Sequence, residues 1–284
     1  MLGRSLVAVL VTFGAPHWIH AMDLQPATLG AWDEYVQTTD RRMQDRLNGA
    51  RPFLWIDESA DRGGRLQRGE VIVESVVGRG TKAVPGGLIH HWIGAIFLPA
   101  VTIDNLTSVV HDYDAYERMY KPVVVRSRDL GCAAADREFS MTWQRRVLFV
   151  NGAIQGRYWS HDAMLDERRG YEITGTTRLQ EIENFGHGDA RLLPPDTGNG
   201  FIWRLRSLAR YEERDSGVYL ELEAIALTRD IPASLRWLVT PVVNRLSINS
   251  LATTLRQTGQ AVRRFSFAQY SPSRCRSAGP VMNE

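Results

Sequence analysis

Hydrophobic and polar positions alternate most regularly over residues 218–227, Val-Tyr-Leu-Glu-Leu-Glu-Ala-Ile-Ala-Leu, and a period of two predicts a half-buried strand. Residues 228–232 break the run, and Pro232 suits the first turn of a helix. Apolar residues then recur at helical spacing as far as Phe265. Leu235, Leu238, Val239, Val242, Val243 and Leu246 form one stripe, and Leu251, Leu255 and Val262 continue it. Pro241, lacking an amide proton, is expected to kink or split this region into a short helix and then a long one capped near Asn249.

Upstream, Leu29, Trp32, Tyr35, Val36, Met43 and Leu47 predict a helix over 28–47, with Thr28 as its N-cap and Asn48-Gly49 as its stop. Strands are expected at 53–56, 70–77, 88–98, 123–127 and 171–181, a turn at 61–64 and a loop at 85–87. Thr102 or Asp104 caps a helix carrying Leu106, Val109, Val110 and Tyr113, and 112–120 forms a short helix or turn. Residues 143–160 read as a hairpin turning at Asn151-Gly152. Pairing Val150 with Ala153 sets Trp143, Arg145, Val147, Phe149, Ile154 and Tyr158 on one inward face. A second hairpin joins 201–211 to 218–228 through the polar stretch 212–217. With Tyr211 opposite Val218, Trp203 faces Ala226, Leu205 faces Ala224, and Arg206 meets Glu223 across the outer face.

The order is then helix, three strands, helical insertion, six strands and a long C-terminal helix. Residues 102–123, TIDNLTSVVHDYDAYERMYKPV, and residues 221–262 carry a resemblance to the START and polyketide-cyclase-like proteins of the birch-pollen-allergen superfamily. That resemblance implies an α+β helix-grip fold, a curved antiparallel sheet wrapped around the C-terminal helix with a tunnel for lipids, sterols or polyketides. It also implies that 232–246, longer than the usual connection, covers the tunnel mouth. On this reading residues 28–265 are a single START-like domain. Trp92, Trp143, Phe149, Tyr158, Trp203, Leu251 and Leu255 are expected to line the cavity or fill a plain core, and Arg145, which needs a partner if it points inward, either anchors a ligand or snorkels to the sheet rim.

Composition bounds the partners. A chain of 284 residues, 44% hydrophobic and 23% charged, with net charge +2, gives no case for nucleic acid. The basic excess is scattered arginine, Lys82 and Lys121 being the only lysines. Residues 1–21, with Arg4 before a short apolar run and Ala21 as the last residue removed, read as a signal peptide, so export to the periplasm or medium is expected. The serine-, proline- and arginine-rich tail 266–284 is expected to be disordered. Cys132 and Cys275 either pair or remain two thiols.

Catalytic signatures are missing. There is no G-x-S-x-G, H-E-x-x-H or phosphate loop, and no cofactor or metal is expected. His90 and His91 point to opposite faces of one strand, His111 and Asp112 read as solvated helix-end groups, and His161-Asp162 reads as a turn after a strand. Glu181 and Glu183 share a face that suits acid–base work or simply a solvated edge. Three readings remain: an exported binder of a lipid or other hydrophobic molecule, in transient contact with membranes; a cyclase or aromatase using the same cavity; and an interaction scaffold.

Overall fold

The computed structural model describes residues 23–133, 136–147, 150–231 and 233–265. The expected leader and tail lie outside them. The chain runs α1 (Pro26–Leu47), a 3-10 turn (Trp55–Glu58), α2 (Ala60–Gln67), β1 (Ile72–Ser75), β2 (Thr81–Val84) and β3 (Gly87–Pro99). There follow α3 (Ile103–Val110), a second 3-10 turn (Tyr113–Ala115), α4 (Tyr116–Met119), β4 (Val124–Ala133), β5 (Asp136–Val147) and β6 (Val150–Asp166). Then come β7 (Arg169–Glu183), β8 (Arg191–Leu192), β9 (Arg204–Arg214), β10 (Gly217–Arg229) and α5 (Ala233–Phe265). The strands form one curved antiparallel sheet in the order β1-β3-β10-β9-β7-β6-β5-β4, with β2 also on β3 and β8 also on β7. Joined to a long terminal helix, this is the α+β helix grip that the element order implies. Among the described residues no helix is long and apolar enough to cross a membrane.

Several expectations are corrected. Residues 53–56 enter a 3-10 turn instead of a strand, and 61–64 lie inside α2. Helix α1 begins at Pro26 with Gln25 at its N-cap, and the Thr28 hydroxyl donates instead to the Pro85 carbonyl at 2.6 Å. Thr102 does cap α3, in a reciprocal box with Asn105. Pro241 sits inside one uninterrupted 33-residue helix, so the expected division is not observed.

Both hairpins turn elsewhere than expected. Val147 pairs with Val150, so Asn151-Gly152 lies within β6 opposite Arg146 and Arg145. In the second hairpin Tyr211 pairs with Leu220, and the turn is Asp215-Ser216, with φ of 55° and 61° at its two residues. Positive φ at both positions matches the right-handed twist of the flanking strands. Each register slips by an even number of residues, and side chains alternate with period two, so the strand faces survive the error.

The sheet is covered on both sides. Its inner face packs on α5 and α3 through Trp92, Ile96, Leu98, Leu106, Val109, Tyr211, Leu220, Leu251, Leu255 and Val262. Its outer face packs on α1 through Trp32, Tyr35, Met43, Ile89, Leu208, Ile225 and Leu227, and on the 3-10 turn and α2 through Leu54, Ile56, Leu66, Ile93 and Tyr219. A strand covered twice reads as a continuous buried run, which is the pattern of β3.

Charge is buried in the outer layer. Arg210, 1% exposed, donates from Nε to Glu221 Oε2 and from Nη1 to Glu223 Oε2, both at 3.1 Å. His91 Nε2 donates to Glu223 Oε1 at 2.7 Å, and its Nδ1 is hydrogen-bonded to the Tyr35 hydroxyl of α1 at 2.7 Å. The Ile56 amide donates to Glu221 Oε1 at 2.8 Å. Burial raises the Glu223 carboxyl, but the His91 bond and the Arg210 charge outweigh it and hold the group at about 2. Arg206, expected to meet Glu223, bonds Asp40 of α1 at 2.6 Å instead.

Helix α5 seats closely on β3. A Cβ on Gly94 would lie 2.9 Å from Leu255 Cδ1 and 3.1 Å from the Ile72 carbonyl, and one on Gly259 would lie 2.8 Å from Leu98 Cδ2. Gly94→Ala should therefore destabilise the protein by about 1–3 kcal/mol through overpacking. Urea unfolding checks this; a loss below about 0.5 kcal/mol, the range of ordinary surface changes, would mean the seat is not tight.

Candidate ligand-binding site

The close seat leaves part of the inner face only half-buried. Helix α5 packs on β1, β3 and β10 and on α3 and α4. At the margin of this contact, Leu222, Ala224 and Ala226 of β10 and Leu205, Ser207 and Ala209 of β9 are only half-buried, with Leu222, Ala224 and Ala209 packed on the edge of the core under α5. Their outer-face neighbours Leu208, Arg210, Glu221, Glu223, Ile225 and Leu227 are buried. In a helix-grip sheet the opposite would hold if the interior were solid. Small residues predominate on this floor, so the sheet beside α5 presents an apolar trough. The N-terminal half of α5 flanks it with half-buried Val239, Val243, Leu246 and Ile248, while Val242 is exposed.

One end of the trough is aromatic. Tyr113, Phe139 and Tyr158 stack in a column with centroids 4.1 and 4.9 Å apart. Trp143 Nε1 donates to the Tyr158 hydroxyl at 3.0 Å, and half-buried Met141 and Leu205 pack on the same cluster. Tyr120 bonds Thr258 of α5 at 3.0 Å, tying this end to the helix.

Within the aromatic end lies a carboxyl group. Glu172 Oε1 accepts from the Tyr113 hydroxyl at 3.2 Å and from Thr174 Oγ1 at 3.4 Å, and the Tyr113 hydroxyl is also hydrogen-bonded to Ser160 Oγ at 2.7 Å. Burial raises the Glu172 carboxyl from its ordinary 4.5 to about 7, against the bonds from Tyr113 and Ser160. Nearby, Asp162 accepts from Arg137 Nε at 3.4 Å and lies 3.8 Å from His111 Nε2. Burial, then the Arg137 charge, lower His111 to about 4, so it is neither solvated nor charged at neutral pH. A group near neutrality among hydroxyls can hold or release a proton where a ligand reaches it. Among the described residues no three metal-ligating side chains gather.

The expected site residues separate into groups. Trp92, Leu251 and Leu255 come together beneath α5. Trp143 and Tyr158 meet at the aromatic end. Arg145 lies on β5 opposite Gly152, its side chain outside the described structure, and Phe149 lies outside the described residues. Trp203 does not line the trough: it precedes β9 and packs on the outer side against α1. Glu181 is no solvated edge group, since its carboxylate accepts from the Asn199 amide and side chain and from the Phe201 amide at 2.8–3.0 Å. His161-Asp162 lies inside β6. Glu172, Ser160 and Tyr113 form the group that strand alternation did not pick out.

No family model and no curated protein matches the chain. Among solved structures it is similar to a STAR-related lipid transfer protein from Xanthomonas axonopodis, at 16% identity and TM-score 0.42, over 65% of this chain and 99% of that one. It is also similar to the Zhui aromatase/cyclase of a Streptomyces species, at 14% identity and TM-score 0.39, over 63% and 97% of the two chains. A START superfamily protein from Mycobacterium smegmatis gives 12% identity and TM-score 0.39 over 63% and 99%.

The raised carboxyl makes stability depend on pH. The folded state holds the Glu172 proton above the pH at which the unfolded chain releases it, so folding is penalised progressively as pH rises from 4.5 through about 7. Glu172→Gln removes that penalty. Relative to the native protein, the variant should gain on the order of 3 kcal/mol between pH 4.5 and 8. Urea unfolding at the two pH values checks the gain; a difference between the proteins that is the same at both would contradict it.

Proposed function

We propose that this chain binds a hydrophobic small molecule, a lipid or similar compound, between the sheet and α5. The observation that carries the reading is the half-buried floor of Leu222, Ala224, Ala226, Leu205 and Ala209 beside a helix whose closest seat, at Gly94 and Gly259, is on β3. Covering such a surface with ligand releases about 25 cal/mol per Å² of apolar area removed from water. Trp92, Leu251 and Leu255 on one side, and Trp143 and Tyr158 on the other, serve as its walls. Native mass spectrometry and solvent extraction of the purified protein test the reading. A bound apolar species should appear, and Ala224→Phe, which fills the floor, should abolish its retention while the fold persists by circular dichroism. A native protein that carries and takes up nothing, or an Ala224→Phe variant that retains the same species, would sink the proposal.

Glu172 supports a second reading, a cyclase or aromatase that transfers protons within the same trough. The test is incubation of the extracted species with fresh protein. Loss of water from it, suppressed in Glu172→Gln, favours the enzyme; an unchanged mass rejects it.

We also propose export directed by residues 1–21, as their charge and hydropathy suggest. Expressed with its leader in a bacterial host, the mature protein should begin at Met22 and fractionate outside the cytoplasm. An intact Met1 start in the cytoplasm would refute this.

A further inference from the structure

Buried polar side chains in proteins are almost always hydrogen-bonded, so those left without a partner point to something absent. Three such atoms meet the trough. His90 and Trp92 project from the inner face of β3, 5% and 7% exposed, and neither His90 Nδ1 nor Trp92 Nε1 has a partner. Asn244 Oδ1 on α5 is likewise unpartnered. Asn244 is fixed by its Nδ2, which donates to the Arg79 carbonyl at 2.6 Å. The next residue, Gly80, lies against the Trp92 ring, where a Cβ would meet ring carbon Cζ2 at 2.0 Å. The Arg79-Gly80 backbone thus links Asn244 to Trp92 beneath the N-terminal half of α5, and His90 neighbours Trp92 on the same face of β3. The floor there is Ala224 and Ala226, which pair with Trp92 and His90.

Thr228 Oγ1 lies 3.1 Å from the Arg229 carbonyl and 3.0 Å from His90 Nε2; with its proton on the carbonyl, it accepts from His90 Nε2–H. His90 Nδ1 is then a bare lone pair. Burial lowers His90 to about 4, so the ring is neutral at ordinary pH. Trp92 Nε1–H is a donor only and Asn244 Oδ1 an acceptor only. His90 and Trp92 lie about 7 Å apart along β3 and Asn244 faces them from α5; a hydroxyl group can accept from Trp92 and donate its single proton to either His90 Nδ1 or Asn244 Oδ1. A carboxylate would lose its hydration for a single N–H and meet two lone pairs, so an anion is disfavoured. Of the other polar groups on this face, Thr176 Oγ1 bonds the Leu205 carbonyl, Thr174 and Ser160 belong to the Glu172 group, and the Ser207 hydroxyl lies on the floor itself, opposite Ala224.

We infer that Trp92, His90 and Asn244 form a hydrogen-bonding subsite that selects a neutral apolar alcohol, its hydroxyl held beneath α5 and its hydrocarbon lying along the β9–β10 floor. This rests on the binding reading above and specifies the ligand class.

The test uses the purified protein and displacement of the fluorescent probe N-phenyl-1-naphthylamine by 1-decanol and by decane. Trp92→Phe and Asn244→Leu keep most of the side-chain volume and remove one ligand-facing group each, Asn244→Leu removing the bond to the Arg79 carbonyl as well. Trp92→Phe should weaken decanol about three- to ten-fold, the worth of one such bond, Asn244→Leu should weaken it by no more than that, and both should leave decane within two-fold. Comparing two ligands within one variant cancels any general loss of folding. In the native protein the Trp92 indole N–H resonance, assigned by its disappearance in Trp92→Phe, should move downfield with decanol and stay fixed with decane. Probe displacement by both compounds, with both weakened equally or neither weakened and no indole shift, overturns the subsite while leaving apolar binding in place. Failure of both compounds to displace the probe, or of the probe to bind, overturns the binding reading and the subsite with it.

Discussion

The seat of α5 on β3 is the contact on which the interior depends. Two glycines, Gly94 in the strand and Gly259 in the helix, remove the side chains that would hold the elements apart. Leu255 and Leu98 fill the space so created and are almost fully buried. A helix drawn this tightly to one edge of a wide curved sheet cannot also rest on its middle. The inner faces of β9 and β10 are left beside it with small side chains and partial exposure, while their outer faces are sealed by α1. Exposure inside and burial outside is the reverse of an isolated sheet with one wet face.

The outer layer allows that reversal. Arg210, Glu221, Glu223 and His91 are polar residues in the middle of the sheet, and α1 and the 3-10 turn cover them with Tyr35 and the Ile56 amide as partners. Such a network need not add net stability over apolar packing, but removal of any one member strands the others in a low-dielectric layer. It fixes where α1 and the 3-10 turn dock. The sheet is thus held from outside, and its inner face has fewer groups to bury.

Much of this architecture is legible in the sequence because face assignment is robust to register. Alternation places Tyr211 two residues from its true partner and displaces the β5–β6 hairpin further, yet Trp143 and Tyr158 still meet on one face. The failures have local causes. The alternation of Glu221 and Glu223 with leucines reads as a wet outer face, since nothing in the strand itself announces that a distant helix covers it. Trp203 shares its parity with Leu205 but precedes the strand, so alternation does not apply. Glu172 was hidden by the bulge that makes Thr177 an extra residue between the Arg157 and Tyr158 pairings. Counting back from Glu181 in steps of two then lands on the wrong face. His90 and Trp92 sit correctly on the inner face by parity alone. Their missing partners are a three-dimensional fact.

The central claim is that the space beside α5 accepts an apolar molecule against the β9–β10 floor. Isotope-filtered nuclear Overhauser spectra measure this most directly, with alanine and leucine methyl groups labelled in the protein and an unlabelled naphthyl probe added. The account predicts cross-peaks from the probe to the methyls of Ala224, Ala226 and Leu222. Cross-peaks confined to exposed methyls such as Leu165 or Leu192, or none at all, would contradict it.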